Sequence, residues 1–159
     1  MKKTILLFAA AFIAVLALTG CEPDTGSSNW LKNTTWKADL SGKQFIDHFD
    51  DDFPESEGTV TSGEIVIHFT GNGFRVRIDS EGDSSLHSQL VAKISPDYKF
   101  PKLLFPVSWA ERDGKPVDVI YDTGIFSEDL KTLHFDSFRS RPSKFGSYFV
   151  FKDLDFARK

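Results

Sequence analysis

The pattern of apolar and polar positions changes character near residue 20. Up to there the chain runs Met1-Lys2-Lys3 and then ILLFAAAFIAVLALTG, residues 5 to 20, without a charge. Beyond it, apolar residues alternate with polar ones over short stretches, the period of a strand with one buried face. The clearest stretch is GEIVIHFTGNGFRVRID, residues 63 to 79. A two-residue loop at Gly71-Asn72 is a favoured hairpin connection. It sets Phe69 opposite Phe74, Ile67 opposite Val76 and Ile65 opposite Ile78, all on one face. Glu64, Val66, His68, Arg75, Arg77 and Asp79 fall on the other. One register sorts both strands, and a slip of one residue would invert every side chain.

The same reading extends along the chain. NTTWKADL, residues 33 to 40, predicts a first strand with Trp36 inward. In residues 41 to 63, Phe45, Ile46 and Phe49 have a spacing that permits one short helix, and Pro54 and Gly58 end any regular element. SSLHSQLVAKI, residues 84 to 94, predicts a strand with Leu86, Leu90, Ala92 and Ile94 on one face. LLFPVSWAERDGKPVDVIYD, residues 103 to 122, predicts a second hairpin around Asp113-Gly114, with Pro106 marking an edge or a bulge. TGIFSEDLKTLHFDSFR, residues 123 to 139, predicts a third hairpin turning near Glu128 to Lys131. RSRPSKFG, residues 139 to 146, reads as a loop, and SYFVFKDLDF as a closing strand.

About eight short strands joined by hairpins predict an all-β protein, an antiparallel up-and-down β-barrel with a β-sandwich as the alternative. Closure would also remove the exposed edges of an isolated sheet. The segments GEIVIHFTGNGFRVRI and DTGIFSEDLKTLHF resemble the hairpins of small lipocalin-like bacterial lipoproteins, in which such strands recur along a meander after an early Trp. The resemblance spans roughly residues 33 to 151. It implies a lipocalin-like barrel and names no ligand. The acidic insert at 47 to 57 departs from a compact meander.

The first segment has the parts of a signal peptide: a basic start, an apolar run and a small-residue exit. The run falls short of the roughly 20 residues that span a bilayer. Leu18-Thr19-Gly20-Cys21 resembles the lipobox of bacterial lipoproteins. That resemblance implies cleavage before Cys21, the only cysteine, which would then carry a covalent diacylglycerol and an acyl chain such as palmitate. Several chains give lasting attachment where one is marginal. The expected organisation is a signal peptide over 1–20, a lipid-anchored tether over 21–29 (EPDTGSSN after the Cys is small and polar) and a barrel domain over 30–159. The expected location is the bacterial cell envelope, and Glu22 after the Cys is compatible with outer-membrane delivery, on the periplasmic or the surface face.

Composition narrows the partners. The chain has 19 Lys and Arg against 23 Asp and Glu, and loss of Lys2 and Lys3 with the leader leaves a net charge of about −6. An acidic chain without a basic run argues against nucleic acid, so membrane contact is expected through the lipid.

Of the four histidines, His48, His68, His87 and His134, none forms a tight metal-ligand spacing. Asp47, Asp50, Asp51, Asp52, Glu55 and Glu57 lack the glycine of a calcium-binding loop and read as a solvated acidic loop. No nucleophile elbow or phosphate loop occurs. The expectation is therefore a non-enzymatic module with no metal and no cofactor beyond the lipid.

Trp36, Phe69, Phe74, Trp109, Tyr121, Phe135 and Phe151 either line a pocket for a small apolar ligand or fill a solid core, as small barrels do. The alternative function is surface interaction with, or inhibition of, an envelope protein. Lysozyme-inhibitor lipoproteins combine a lipobox with a small barrel, but their loop and disulfide have no counterpart here. The anchor has a direct test. Cys21→Ser should abolish metabolic palmitate labelling and release the protein from membranes; labelling that persists would refute the lipobox reading.

Overall fold

The computed structural model describes residues 28–48, 55–83, 86–140 and 148–159. The leader, Cys21 and most of the tether lie outside the described residues. So do Asp50 to Asp52 of the acidic insert and most of the expected loop after Ser140. A one-turn 3-10 helix, Ser28–Leu31, precedes ten strands: β1 Thr35–Asp39, β2 Gln44–His48, β3 Ser56–Thr70, β4 Gly73–Gly82, β5 Leu86–Ala92, β6 Asp97–Lys99, β7 Lys102–Arg112, β8 Lys115–Phe126, β9 Thr132–Ser140 and β10 Tyr148–Arg158. They form one antiparallel sheet in the order β5-β4-β3-β1-β10-β9-β8-β7-β6, with β2 paired to β10 and β3.

The hairpin read from alternation is present in the expected register. Phe69 lies opposite Phe74, Ile67 opposite Val76 and Ile65 opposite Ile78, and all six are buried. The turn at Asp113-Gly114 joins β7 to β8, with φ of 53° and 70° at its two residues. Positive φ at both positions matches the right-handed twist of the flanking strands, and glycine takes it without a Cβ penalty. Pro106 sits at a register irregularity in β7, where a residue without an N–H disturbs the ladder least.

Three elements differ from expectation. Residues 44 to 48 are strand, not helix. Phe45 and Phe151 are opposite each other in the β2–β10 ladder, so pairing of the chain ends outweighs a weak local helical spacing. The pattern ended one hairpin at Asp122 and began the next at Thr123, yet β8 runs unbroken through both. β6 is too short for any alternation to reveal.

β1 and β2 act as one interrupted strand. Both keep a single register against β3, with Trp36 opposite Ile67 and Phe45 opposite Gly58. Between them Leu40 N donates to Gly63 O at 2.9 Å, Gly42 N to Val60 O at 2.8 Å and Val60 N to Lys43 O at 2.9 Å. The ladder therefore continues across the break.

The inner face is filled by aromatic rings from strands far apart in the sheet. Phe105 of β7 lies 4.4 Å from Phe74 and 6.2 Å from Phe69 between ring centroids, and also meets Phe135 at 6.1 Å and Phe138 at 5.7 Å. β4 and β7 are near opposite ends of the sheet order, so these contacts require the sheet to fold over on itself. At one end Trp30 packs on Phe126 at 5.0 Å and Tyr98 at 5.5 Å, with the Arg158 guanidinium 5.7 Å from its ring. Trp36 Nε1 donates to Thr34 Oγ1 at 2.9 Å, and Thr34 Oγ1 donates to Leu31 O at 2.6 Å. The buried indole N–H is thus satisfied. Truncating a fully buried Phe costs about 3–5 kcal/mol. Phe105→Ala should lower the unfolding free energy by about that amount in urea titration, whereas Phe100→Ala, at an exposed position, should change it little.

Candidate functional site

The residues proposed from sequence to line a pocket divide by position. Trp36, Phe69, Phe74, Phe135 and Phe151 are buried on the inner face, and Trp109 is partly buried against the same core. Tyr121 is not inward. It is 39% exposed, because in β8 the inward residues are Asp122, Gly124 and Phe126. The pattern near Tyr121 misled because β7 and β8 shift register at Pro106/Ser108 and Ser108/Ala110, and each shift reassigns faces.

The buried members touch other rings. Phe135 packs edge-on to Phe138 at 5.2 Å and Phe156 at 5.7 Å, and Trp36 packs on Phe126 at 5.3 Å. Phe135 and Leu133 also fill the space above Gly124, where an added Cβ would lie 2.7 Å from each. Sequence reasoning did not single out Phe105, Phe138 or Phe156, and the irregular β7 register hid the first of them.

Two hollows remain. One lies between β5 and β7, over Val76, Leu90, Phe105, Val107, Ser88 and Ser140, and holds about 10 Å³, roughly the room of one water. The other, about 280 Å³, is an open polar groove among Gln44, Glu57, Thr59, Asp83 and Lys152. There Thr59 N donates to Asp83 Oδ2 at 2.7 Å.

Asp122 is a buried carboxylate where β8 and β9 cease to pair. The β8–β9 ladder covers Ile125↔His134 and Phe126↔Leu133. Beyond it Asp122 Oδ2 accepts from Arg139 N at 2.6 Å and Oδ1 from Arg139 Nε at 2.7 Å, while Arg139 Nη2 donates to Tyr121 O at 3.1 Å. A side chain thus replaces the missing backbone partner, and a buried charge is acceptable because it is paired and hydrogen-bonded.

Each histidine has a polar neighbour. His68 Nδ1 lies 2.9 Å from Thr35 Oγ1, His48 Nδ1 2.8 Å from Glu55, and His87 is paired with Asp79. His134 lies 2.8 Å from Asp155 and 3.0 Å from Asp136. Among the described residues, no group of three His, Cys, Asp or Glu side chains is arranged to hold a metal ion. Lys37 and Arg77 flank Glu64 and hold its carboxyl below the usual range, the Lys37 hydrogen bond chiefly.

Comparison with protein-family models, with curated proteins and with solved structures found no match to this chain.

The Asp155 hydrogen bond raises His134 above its ordinary value of 6.5, with Asp136 adding to the effect and partial burial opposing it. The fold therefore binds the imidazolium better than the unfolded chain does. That contribution is complete below about pH 6.5 and disappears as pH rises through the higher folded value. Melts of the protein and of His134→Gln should differ more at pH 5.5 than at pH 8.5; an equal gap at both would refute the assignment.

Proposed function

We propose that the chain is a lipid-anchored, non-enzymatic binding module of the bacterial envelope, a small lipocalin-like barrel that engages its partner with its outer surface. The observation that carries this reading is the filled interior. A small apolar ligand would need the space that Phe105, Phe135 and Phe138 occupy, and the residual space beside them is about 10 Å³, against the hundreds of Å³ of an ordinary ligand pocket.

The strand order supports the barrel part of the reading. The first strand segments pair with the last strand, β10, which is how a meander closes. Eight antiparallel steps separate β5 from β6 in the sheet order, so the two run in the same direction. They are joined only by residues 93–96, and together they serve as one bent strand shared between β4 and β7. With β1 and β2 also counted as one, ten segments make eight staves, the number whose interior side chains can fill. The leader and its lipobox-like exit support the anchor.

The chain from Glu22 onward, made without lipid, should show no saturable binding of a fluorescent fatty acid and no co-purifying small molecule in native mass spectrometry. The lipidated protein should cross-link to an envelope protein in cells. A stoichiometric apolar ligand in the purified domain would overturn the reading.

A further inference from the structure

The bent strand Leu86–Lys99 closes the sheet only in part. β6 pairs with β7 over Lys102 to Leu104. Below that point, among the described residues, β7 pairs only with β8 and β5 only with β4. The two edges line one hollow, with Ser88 and Leu90 on one side and Pro106 and Val107 on the other. They are not equivalent. β7 carries Pro106 and an extra residue between Pro106 and Ser108, devices that discourage pairing. β5, LHSQLVA, contains no Pro, no Gly, no Lys and no acid, and nothing in it blunts the edge. Val91 on this strand is 59% exposed, the most exposed of the large hydrophobic residues there.

Two further observations say what would pair with it. The Ser140 hydroxyl, on a residue 4% exposed, lines the hollow without a hydrogen-bond partner among the described residues. A buried hydroxyl without a partner is costly, and a polar group on an incoming chain would satisfy it. On the outer face, Arg75 lies opposite Val91 and its side chain, like that of Lys93, makes no ion pair or hydrogen bond among the described residues. A strand added to β5 would lie about 10 Å from β4, two strand spacings, within joint reach of an arginine and a glutamate. β5 itself contains no acid, so a second copy paired edge to edge would bring none to Arg75.

We propose that the β5 edge receives an extended acidic peptide of a partner protein as an added strand. Its main chain pairs with Leu86 to Ala92. Its inward positions carry the smallest side chains, alanine or serine, because the hollow over Leu90, Val107 and Ser140 has room for about one water. Its outward positions carry Asp or Glu toward Arg75 and Lys93. Main-chain pairing supplies affinity and alternate side chains supply selectivity. The proposal deepens the surface-binding reading above and rests on it.

The probe is a synthetic peptide, acetyl-Ser-Ala-Asp-Ser-Glu-Ala-Ser-amide, added to the full lipidated protein in neutral phosphatidylcholine vesicles. Amide exchange read by mass spectrometry should slow in the segment containing β5, and the same peptide with Lys for Asp and Glu should bind at least tenfold more weakly. Arg75→Glu should reverse that preference. Val91→Glu, at an exposed position, puts a like charge against the peptide's acids and should abolish protection without changing the melt. Protection elsewhere, no protection at millimolar peptide, or indifference to the peptide's charge would each overturn the proposal. β5 protection that grows with protein concentration without peptide would overturn it in favour of a second copy. If β5 takes no peptide while envelope cross-linking persists, only this site fails; if both fail, the surface-binding reading fails with it.

Discussion

Phe105 is the contact on which the architecture turns. It stands on β7, near one end of the sheet order, and packs against Phe74 and Phe69 of β4 and β3 from the other arm. The rings meeting there, with Trp36 packed on Phe126 at the other end, hold the two arms over one core although β5 and β7 do not pair among the described residues. Ring pairs in edge-on and tilted geometry add to the apolar area they bury. Phe135, Phe138 and Phe156 extend the contact to β9 and β10. Side chains join the two arms where backbone hydrogen bonds between β5 and β7 are lacking among the described residues.

This explains which parts of the fold were legible in the sequence. The β3–β4 hairpin was readable to the residue, because its register is set by local alternation and a two-residue loop. The Asp113-Gly114 turn was readable for the same local reason. Residues 44–48 were not, because their strand state depends on β10, about a hundred residues away. Tyr121 was misplaced because one bulge in β7 and one in β8 change which residues face inward, and a bulge adds one residue without a compositional mark beyond Pro106. The change of pairing partner between β5, on β4, and β6, on β7, was invisible for a similar reason: alternation shows which face a residue takes, not which neighbour its backbone finds.

The candidate site was legible only as chemistry. The aromatic residues chosen from the pattern are mostly inward, as expected for large apolar residues at alternate positions. The same pattern is produced by a cavity wall and by a solid core. What decides between them is whether rings from opposite strands meet, and here Trp36 meets Phe126 and Phe74 meets Phe105. The residues that matter for the outer surface, Arg75, Val91 and Ser140, carry no motif. They become informative only when their neighbours are known.

The succession of strands is interrupted at Leu40–Lys43 and at residues 93–96, and the two interruptions differ in consequence. At Leu40–Lys43 the backbone groups find partners on β3, so the ladder continues in one register across the break. After residues 93–96 the chain pairs with β7 over three residues only, so among the described residues the lower edge of β5 has no strand partner. Exposed edges are ordinarily disguised with proline, lysine or irregular register, and β7 is disguised in that way. β5 is not, although Lys93, Lys99 and Lys102 follow it closely in sequence. An edge left plain beside one that is blunted admits one added strand rather than unlimited pairing, which is the geometry a binding surface requires and an aggregating edge lacks.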